Sequence, residues 1–177
     1  MGGYVSLAFA RRYPGRVAGL ALIDTRASAD VAAAADGRRA MAELLETTPD
    51  VAPLLDGVLP KLLGATSFSE RPGIVELVRA AVTRCSPLAA AWAQRAMSDR
   101  PDSFDTLRSF NAPAAVIVGA EDVLTPPNDA IAMAEILGQG PTVVVEKAGH
   151  LTPLEAPDTV VEALMTLLDR VDAVEER

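Results

Sequence analysis

A single histidine stands in this 177-residue chain, at position 150, and its surroundings make it a candidate for proton transfer. Imidazole is the one side chain whose unperturbed proton affinity lies near neutral pH, which makes it the default general base. A lone histidine also has a plain structural use, so its neighbours must decide. Residues 142–157 read TVVVEKAGHLTPLEAP: a short apolar strand, a glycine turn, the histidine on that turn, and the start of a closing helix. Open α/β sheets place their chemistry just past the C-terminal ends of their strands. Gly149 allows the sharp turn that swings the imidazole out over the sheet edge. Asp122 holds the matching place after the preceding strand, 28 residues earlier. If the two strands are parallel neighbours joined by the intervening helix, both turns emerge at one edge. The carboxylate then accepts a hydrogen bond from one imidazole nitrogen, fixes the tautomer and stabilises the imidazolium formed when the other nitrogen takes a proton. Asp122 also fits as a simple turn former, and Glu121 beside it is an alternative carboxylate.

Composition narrows the setting. The length suits one domain with a sizeable core. Half of the residues are apolar, mostly Leu, Val and Ala, and only 4% are aromatic. That balance favours helices packed on a parallel sheet over a β-sandwich. A net charge of −8 argues against a nucleic-acid or anionic-membrane surface, which needs positive charge to neutralise phosphates. Arg11, Arg12 and Arg16 read as a solvated face, with no interleaved aromatics. Cys85, the one cysteine, has no disulfide partner and is expected as a small buried hydrophobe in a helix. No run is long enough to span a bilayer, and no basic segment leads an apolar one as in a signal peptide, so the expected compartment is the cytoplasm. No phosphate cradle or metal-ligand spacing is present, and no metal or cofactor is implied.

The elements that must position these side chains follow the chain. Residues 1–13 form a short helix with two glycines at its start and Arg11 and Arg12 in its last turn, stopped by Pro14 and Gly15. Val17 to Ile23 is a buried strand ended by Asp24. From Ala27 to about Phe110 proline-punctuated helices follow: Ala32 to Leu45, Pro53 to Leu63, Gly73 to Arg84, Leu88 to Met97, and a short one after Ser103. In the third of these, Ile74, Leu77, Val78, Ala81 and Val82 share a face. Ala114 to Val118 is the second strand, a helix runs from Thr125 to Gly138, and Thr142 to Val145 is the third strand. The last helix spans Pro157 to Val171, with Val160, Val161, Leu164, Leu167 and Leu168 on its core side, before a frayed charged tail from Asp172 to Arg177.

At this point the sequence resembles the α/β-hydrolase family across essentially its whole length. Residues 116–127, VIVGAEDVLTPP, resemble the segment carrying the family's acid, and residues 147–157, KAGHLTPLEAP, its histidine turn. Residues 96–103, AMSDRPDS, are similar to the exit of the lid in small enol-lactonase-like and esterase-like members. In that family a G-x-S-x-G elbow joins a strand to a helix and presents a nucleophilic serine. Met1, Gly2 and Gly3 look like the residues directly after such a serine, with Gly2 as the motif's last glycine.

The resemblance implies a truncated α/β-hydrolase with three parallel strands, flanking helices and a helical lid. Residues 1–26 and 111–177 would form the core and residues 27–110 the lid or cap. His150 would be general base and acid, Asp122 its orienting carboxylate, and the Met1 backbone N–H one oxyanion donor. The nucleophile would lie before residue 1, since Ser6 falls inside the first helix, where a serine ordinarily bonds its own backbone or water. Asp24 is the position where dehalogenase-like members carry their acid; here it reads as a loop carboxylate. Trp92 and Met97 could line an acyl pocket or simply pack. The expected substrate is a small carboxylic ester or lactone, with no nucleic-acid or membrane partner and an undetermined oligomeric state. A non-catalytic remnant and a dehalogenase- or haloperoxidase-like enzyme are the alternatives. The chain by itself is expected to be inactive.

Overall fold

In the computed structural model, which describes residues 1–48 and 50–176, the three apolar runs pair as one parallel sheet. The strands are β1 (Leu20–Ile23), β2 (Ala114–Gly119) and β3 (Val143–Val145), in the spatial order β1-β2-β3. Leu20 stands beside Ala114 and Ile23 beside Ile117; Ile117 in turn stands beside Val143, and Gly119 beside Val145. The central strand is buried on both faces, which is why its sequence is continuously apolar rather than alternating.

Successive side chains of β2 point to opposite layers. Val116 and Val118 join Leu20 and Leu22 of β1 in one cluster, completed by Leu7 and Ala10 of α1 (Gly2–Arg12), Leu107 of α8 (Phe104–Arg108) and Met133 of α9 (Pro127–Leu137). Ile117 points the other way, to Val145 and to Val160 and Leu164 of α11 (Pro157–Glu175), which follows the short α10 (Thr152–Glu155). The sheet therefore lies between two helical layers. α9 ends at Gly138, whose φ of 62° is the left-handed conformation that glycine adopts without a Cβ clash.

Between β1 and β2 the chain forms a helical block. Its longest members, α2 (Ala32–Thr47) and α7 (Pro87–Ser98), pack through Ala42, Leu45 and Ala91. Asp30, whose side chain is almost fully buried, accepts from Arg38 at 2.6 Å and Arg100 at 2.8 Å and so ties the start of α2 to the end of α7. Between them lie α3 (Ala52–Gly57), α4 (Leu59–Leu62), α5 (Ala65–Glu70) and α6 (Pro72–Thr83). Leu59, Leu63 and Val78 bury against Leu151, which joins this block to the histidine turn.

Several local expectations change. The first strand begins at Leu20 instead of Val17, because Pro14–Arg16 forms a 3-10 turn and Gly19 is pressed against Val171. The helix expected from Pro53 to Leu63 is two helices: Pro60 lacks an N–H, and its ring crowds the carbonyl four residues back. α5 went unanticipated, since ATSFSE has no apolar periodicity. On α6 only Val78 is buried, with Ile74 and Val82 partly covered, while Leu77 and Ala81 face outward. Cys85 is exposed at the turn after α6 rather than buried in a helix. α11 runs to Glu175 instead of fraying from Asp172, with Val161 and Leu168 exposed; Arg177 lies outside the described residues. Among the described residues no helix is long and apolar enough to cross a membrane.

Ile117 has no exposed surface and sits on the central strand. Ile117→Ala is expected to cost about 2–5 kcal/mol of stability, from lost transfer energy and the cavity left behind. Urea denaturation of the two proteins measures it.

Candidate active site

The loops at the C-terminal ends of β2 and β3 bring Asp122 and His150 together. His150 Nδ1 lies 2.8 Å from Asp122 Oδ2 and 3.2 Å from Thr125 Oγ1. Thr125 Oγ1 is also 2.7 Å from Asp122 Oδ2, and its single proton goes there. An ionised carboxylate only accepts, so the Nδ1–Oδ2 contact requires the proton on Nδ1. That leaves the Nε2 lone pair open, and no described residue hydrogen-bonds to Nε2.

Asp122 is buried, yet its pKa is held below the ordinary value. Burial alone pushes it up; the hydrogen bond from His150, those from the Thr125 backbone and hydroxyl, and the charge of His150 together outweigh burial. Its other oxygen accepts the N–H groups of Leu124 at 2.8 Å and Thr125 at 3.0 Å, so the acid's own loop wraps around it. Arg26 braces that loop through the Leu124 carbonyl and pairs with Asp129 at 3.0 Å.

The histidine turn is held from several sides. Glu121 N–H donates to the Ala148 carbonyl at 2.8 Å. Asp24 accepts from the Thr152 N–H at 2.9 Å, the Thr152 hydroxyl at 2.7 Å and the Gly119 N–H at 3.2 Å. Glu155, 5% exposed, accepts from Gly149 N at 2.8 Å, Leu151 N at 3.3 Å, Gly64 N at 2.8 Å and Ser67 Oγ at 2.6 Å. Close approach of backbones makes this possible. A Cβ on Gly119 would collide with the Ala148 and Gly149 carbonyl oxygens, and one on Gly149 with the Gly64 nitrogen and Leu63 carbonyl carbon.

An open Nε2 beside a buried carboxylate, at the C-terminal edge of a parallel sheet, is an arrangement suited to general-base catalysis. A model of the alpha/beta hydrolase family matches residues 1–163. The chain belongs to the alpha/beta hydrolase family. Among solved structures it is similar to a thermophilic esterase from Thermogutta terrifontis, determined with malate bound, at 38% identity and a TM-score of 0.91, over 96% of this chain and 62% of that one. It is also similar to the enol-lactonase from Burkholderia xenovorans LB400, at 24% identity and a TM-score of 0.80, over 96% of this chain and 63% of that one. MenH from S. aureus gives 20% identity and a TM-score of 0.81, over 96% and 65%. The last two likenesses concern the fold alone. The chain spans somewhat less than two thirds of the length of these proteins. No curated protein matches it.

Within this member of the family the other sequence-predicted positions fall as follows. Glu121 turns away from the imidazole, to Thr66 N at 2.8 Å and Thr66 Oγ1 at 2.5 Å. Those bonds, first from the hydroxyl and then from the backbone, lower its pKa against a small opposing effect of burial, with help from Arg71 and Lys147. Asp24 makes no hydrogen bond to His150. Burial raises its pKa; the Thr152 bonds and the His150 charge oppose this, and the Asp122 charge adds to it. Met1 precedes α1, its carbonyl accepting the Tyr4 N–H at 3.0 Å. Gly3 presses so closely on Thr25 that a Cβ there would collide, which puts the start of α1 at the edge where β1 ends. Ser6 lies within α1 and makes no hydrogen bond to His150. Met97 is partly buried with its sulfur 3.5 Å from Arg38 Nη1, whereas Trp92 is 69% exposed.

The residue that sequence reasoning missed is Glu155. Its position just before Pro157 reads as an ordinary acid near a helix start; only its spacing of six from Gly149 hinted that it folds back on the turn.

The lowered pKa of Asp122 fixes the sign of a pH effect. Its contribution to stability is present above the ordinary carboxylate pKa and is lost as pH falls through its lower folded value. The stability gap between the native chain and Asp122→Asn is therefore expected to be widest near neutral pH and to narrow in acid. Chemical denaturation across that range checks it.

Proposed function

We propose that this chain carries the general base and its orienting acid for a serine-type hydrolase acting on a small carboxylic ester or lactone. The observation that carries the reading is the His150–Asp122 contact, with Nδ1 engaged and Nε2 free. The 38% identity to an esterase supports the reaction class, and the 62% coverage of that protein supports a nucleophile supplied by sequence outside this chain.

In this mechanism a serine Oγ attacks the carbonyl carbon while His150 Nε2 takes its proton. Asp122 stabilises the imidazolium without becoming protonated itself. Collapse of the tetrahedral intermediate breaks the ester C–O bond, and His150 returns the proton to the departing alkoxide. Water then repeats the cycle on the acyl-enzyme, so ester plus water gives acid plus alcohol, and a lactone gives one hydroxy acid. The Met1 N–H is assigned as one of two oxyanion donors, consistent with the start of α1 lying at the site edge. Residues 27–110 act as the cap over the core formed by residues 1–26 and 111–177. Met97 and Trp92 remain the candidate pocket residues of α7, with Met97 the better supported by its partial burial. The chain works without a cofactor in this scheme and meets its substrate in the cytoplasm. The dehalogenase-like arrangement is disfavoured because Asp24, where its acid would stand, spends both oxygens on Gly119 and Thr152.

The test compares this chain with a version extended upstream through the elbow, assayed on p-nitrophenyl acetate and a small lactone. The extended protein is expected to be active and this chain inactive. In the extended protein His150→Ala abolishes turnover, and Asp122→Asn lowers kcat by roughly 10⁴-fold through loss of the correct tautomer. Saturable activity from this chain alone, abolished by His150→Ala, would place the nucleophile among its own residues. Activity in neither protein would favour a non-catalytic remnant.

A further inference from the structure

We propose that Glu155 is a positioning residue for His150, holding the backbone on both sides of the imidazole and fastening it to the α4–α5 corner of the helical block. The inference rests on the reading of His150 as the base. Glu155 does not touch the ring; it acts through the turn that carries it.

Its two carboxylate oxygens divide the work. Oε1 accepts from the N–H groups of Gly149 and Leu151, the residues directly before and after His150, at 2.8 and 3.3 Å. Oε2 accepts from Gly64 N at 2.8 Å and Ser67 Oγ at 2.6 Å, across 91 and 88 residues of sequence. Arg71 closes the ring of contacts: its Nη1 reaches Ser67 Oγ at 3.2 Å, the Lys147 carbonyl at 3.0 Å and the Glu155 carbonyl at 3.1 Å. The two backbones joined by this carboxylate touch. A Cβ on Gly64 would stand 3.0 Å from the Gly149 nitrogen, and one on Gly149 would collide with Gly64. On the Gly149 side there is no room for a residue other than glycine, and on the Gly64 side a Cβ would also collide with Glu121 Oε2.

A carboxylate is required here because everything facing it donates. Three backbone N–H groups and one hydroxyl converge on it, and each buried donor left without an acceptor is unfavourable. A glutamine has one acceptor oxygen and an NH₂ group that itself donates, so it serves one branch and repels the other. Without Glu155 the amides flanking His150 turn to water, and the turn opens away from Asp122. The same event loosens the cap corner, so base placement and cap docking depend on one side chain.

Because the chain holds one histidine, its state can be read without any turnover. The variants are E155Q, which keeps the side-chain volume, and E155A, with S69A as a control on the same helix, α5, where the exposed hydroxyl bonds the Ala65 and Thr66 carbonyls and not the carboxylate. Carbethoxylation of His150 by diethyl pyrocarbonate gives the accessibility of Nε2, and long-range proton–nitrogen correlation of the imidazole gives the tautomer. E155Q is expected to raise the carbethoxylation rate about tenfold and mix the tautomers, while S69A stays within about twofold of the native rate. In the upstream-extended protein E155Q lowers kcat about ten- to a hundredfold with KM little changed, as expected for misplacement of a catalytic group. A variant that melts earlier yet keeps the native rate and the single Nδ1–H tautomer would overturn the proposal and leave Glu155 a purely structural residue. If E155A does not fold, E155Q alone decides. The reactivity and tautomer readouts need no nucleophile, so failure of the hydrolase reading and failure of this one are told apart.

Discussion

Buried negative charge at the end of a parallel sheet is the constraint on which this structure turns. Asp24, Asp122 and Glu155 each have less than a tenth of their surface exposed, within one small region. An ionised carboxylate taken out of water costs several kcal/mol unless its lone pairs are filled by donors. The only abundant donors at strand ends are backbone N–H groups, which point outward there. Each carboxylate therefore draws a loop around itself: Asp122 the loop of residues 122–125, Asp24 the ends of β2 and of the histidine turn, and Glu155 the histidine turn and the α4–α5 corner. The loops owe their shapes to these carboxylates, and the imidazole is placed as a consequence.

Close backbone approach is the second half of the same solution. Short hydrogen bonds from three loops to buried oxygens require those loops to stack with little between them. Gly119, Gly149 and Gly64 form that stack, each at a place where a methyl group would strike a neighbouring backbone or, for Gly64, a Glu121 oxygen as well. None of the three needs a positive φ, so their role is space rather than conformational freedom. The strain that does occur falls on Asp24 and Lys147, non-glycine residues at φ 46° and 57°. Both stand at the start of a loop that a carboxylate then fixes, which is where an unfavourable dihedral is tolerated because the surroundings over-determine it.

Most of what positions the site was legible in the sequence, and what was not shares one cause. Continuous apolar runs identified β1, β2 and β3, and the signal is cleanest for the central β2, which has no polar face to confuse the pattern. The glycine before His150 and the acid after β2 followed from where such sheets expose their loops. Periodicity reports which side of a helix is apolar but not what covers it, so Leu77, on the shared apolar face of α6, and Val161 and Leu168, on the side of α11 read as facing the core, lie exposed. Cys85 failed for the same reason: its type favours burial, but its place past the end of α6 leaves nothing over it. Glu155 was illegible because its partners Gly64 and Ser67 lie about ninety residues away and belong to a helix without periodic signal.

The contrast between the two aspartates explains why only one is suited to hold the imidazole. Both are buried, but burial wins at Asp24 and raises its pKa, whereas hydrogen bonding wins at Asp122 and lowers it. Asp24 makes no hydrogen bond to the imidazole, and its oxygens are committed to accepting from the Gly119 and Thr152 backbone N–H groups and the Thr152 hydroxyl. Asp122 meets Nδ1 directly and is further stabilised by Thr125, so it stays ionised where an orienting acid must. Their mutual repulsion reinforces the split: the charge on Asp122 adds to the rise at Asp24. Pairs of acids whose surroundings push their pKa values apart take different roles. On that physical ground Asp24 is the acid that anchors the turn to the sheet, and Asp122 the one that can answer a proton arriving at Nε2.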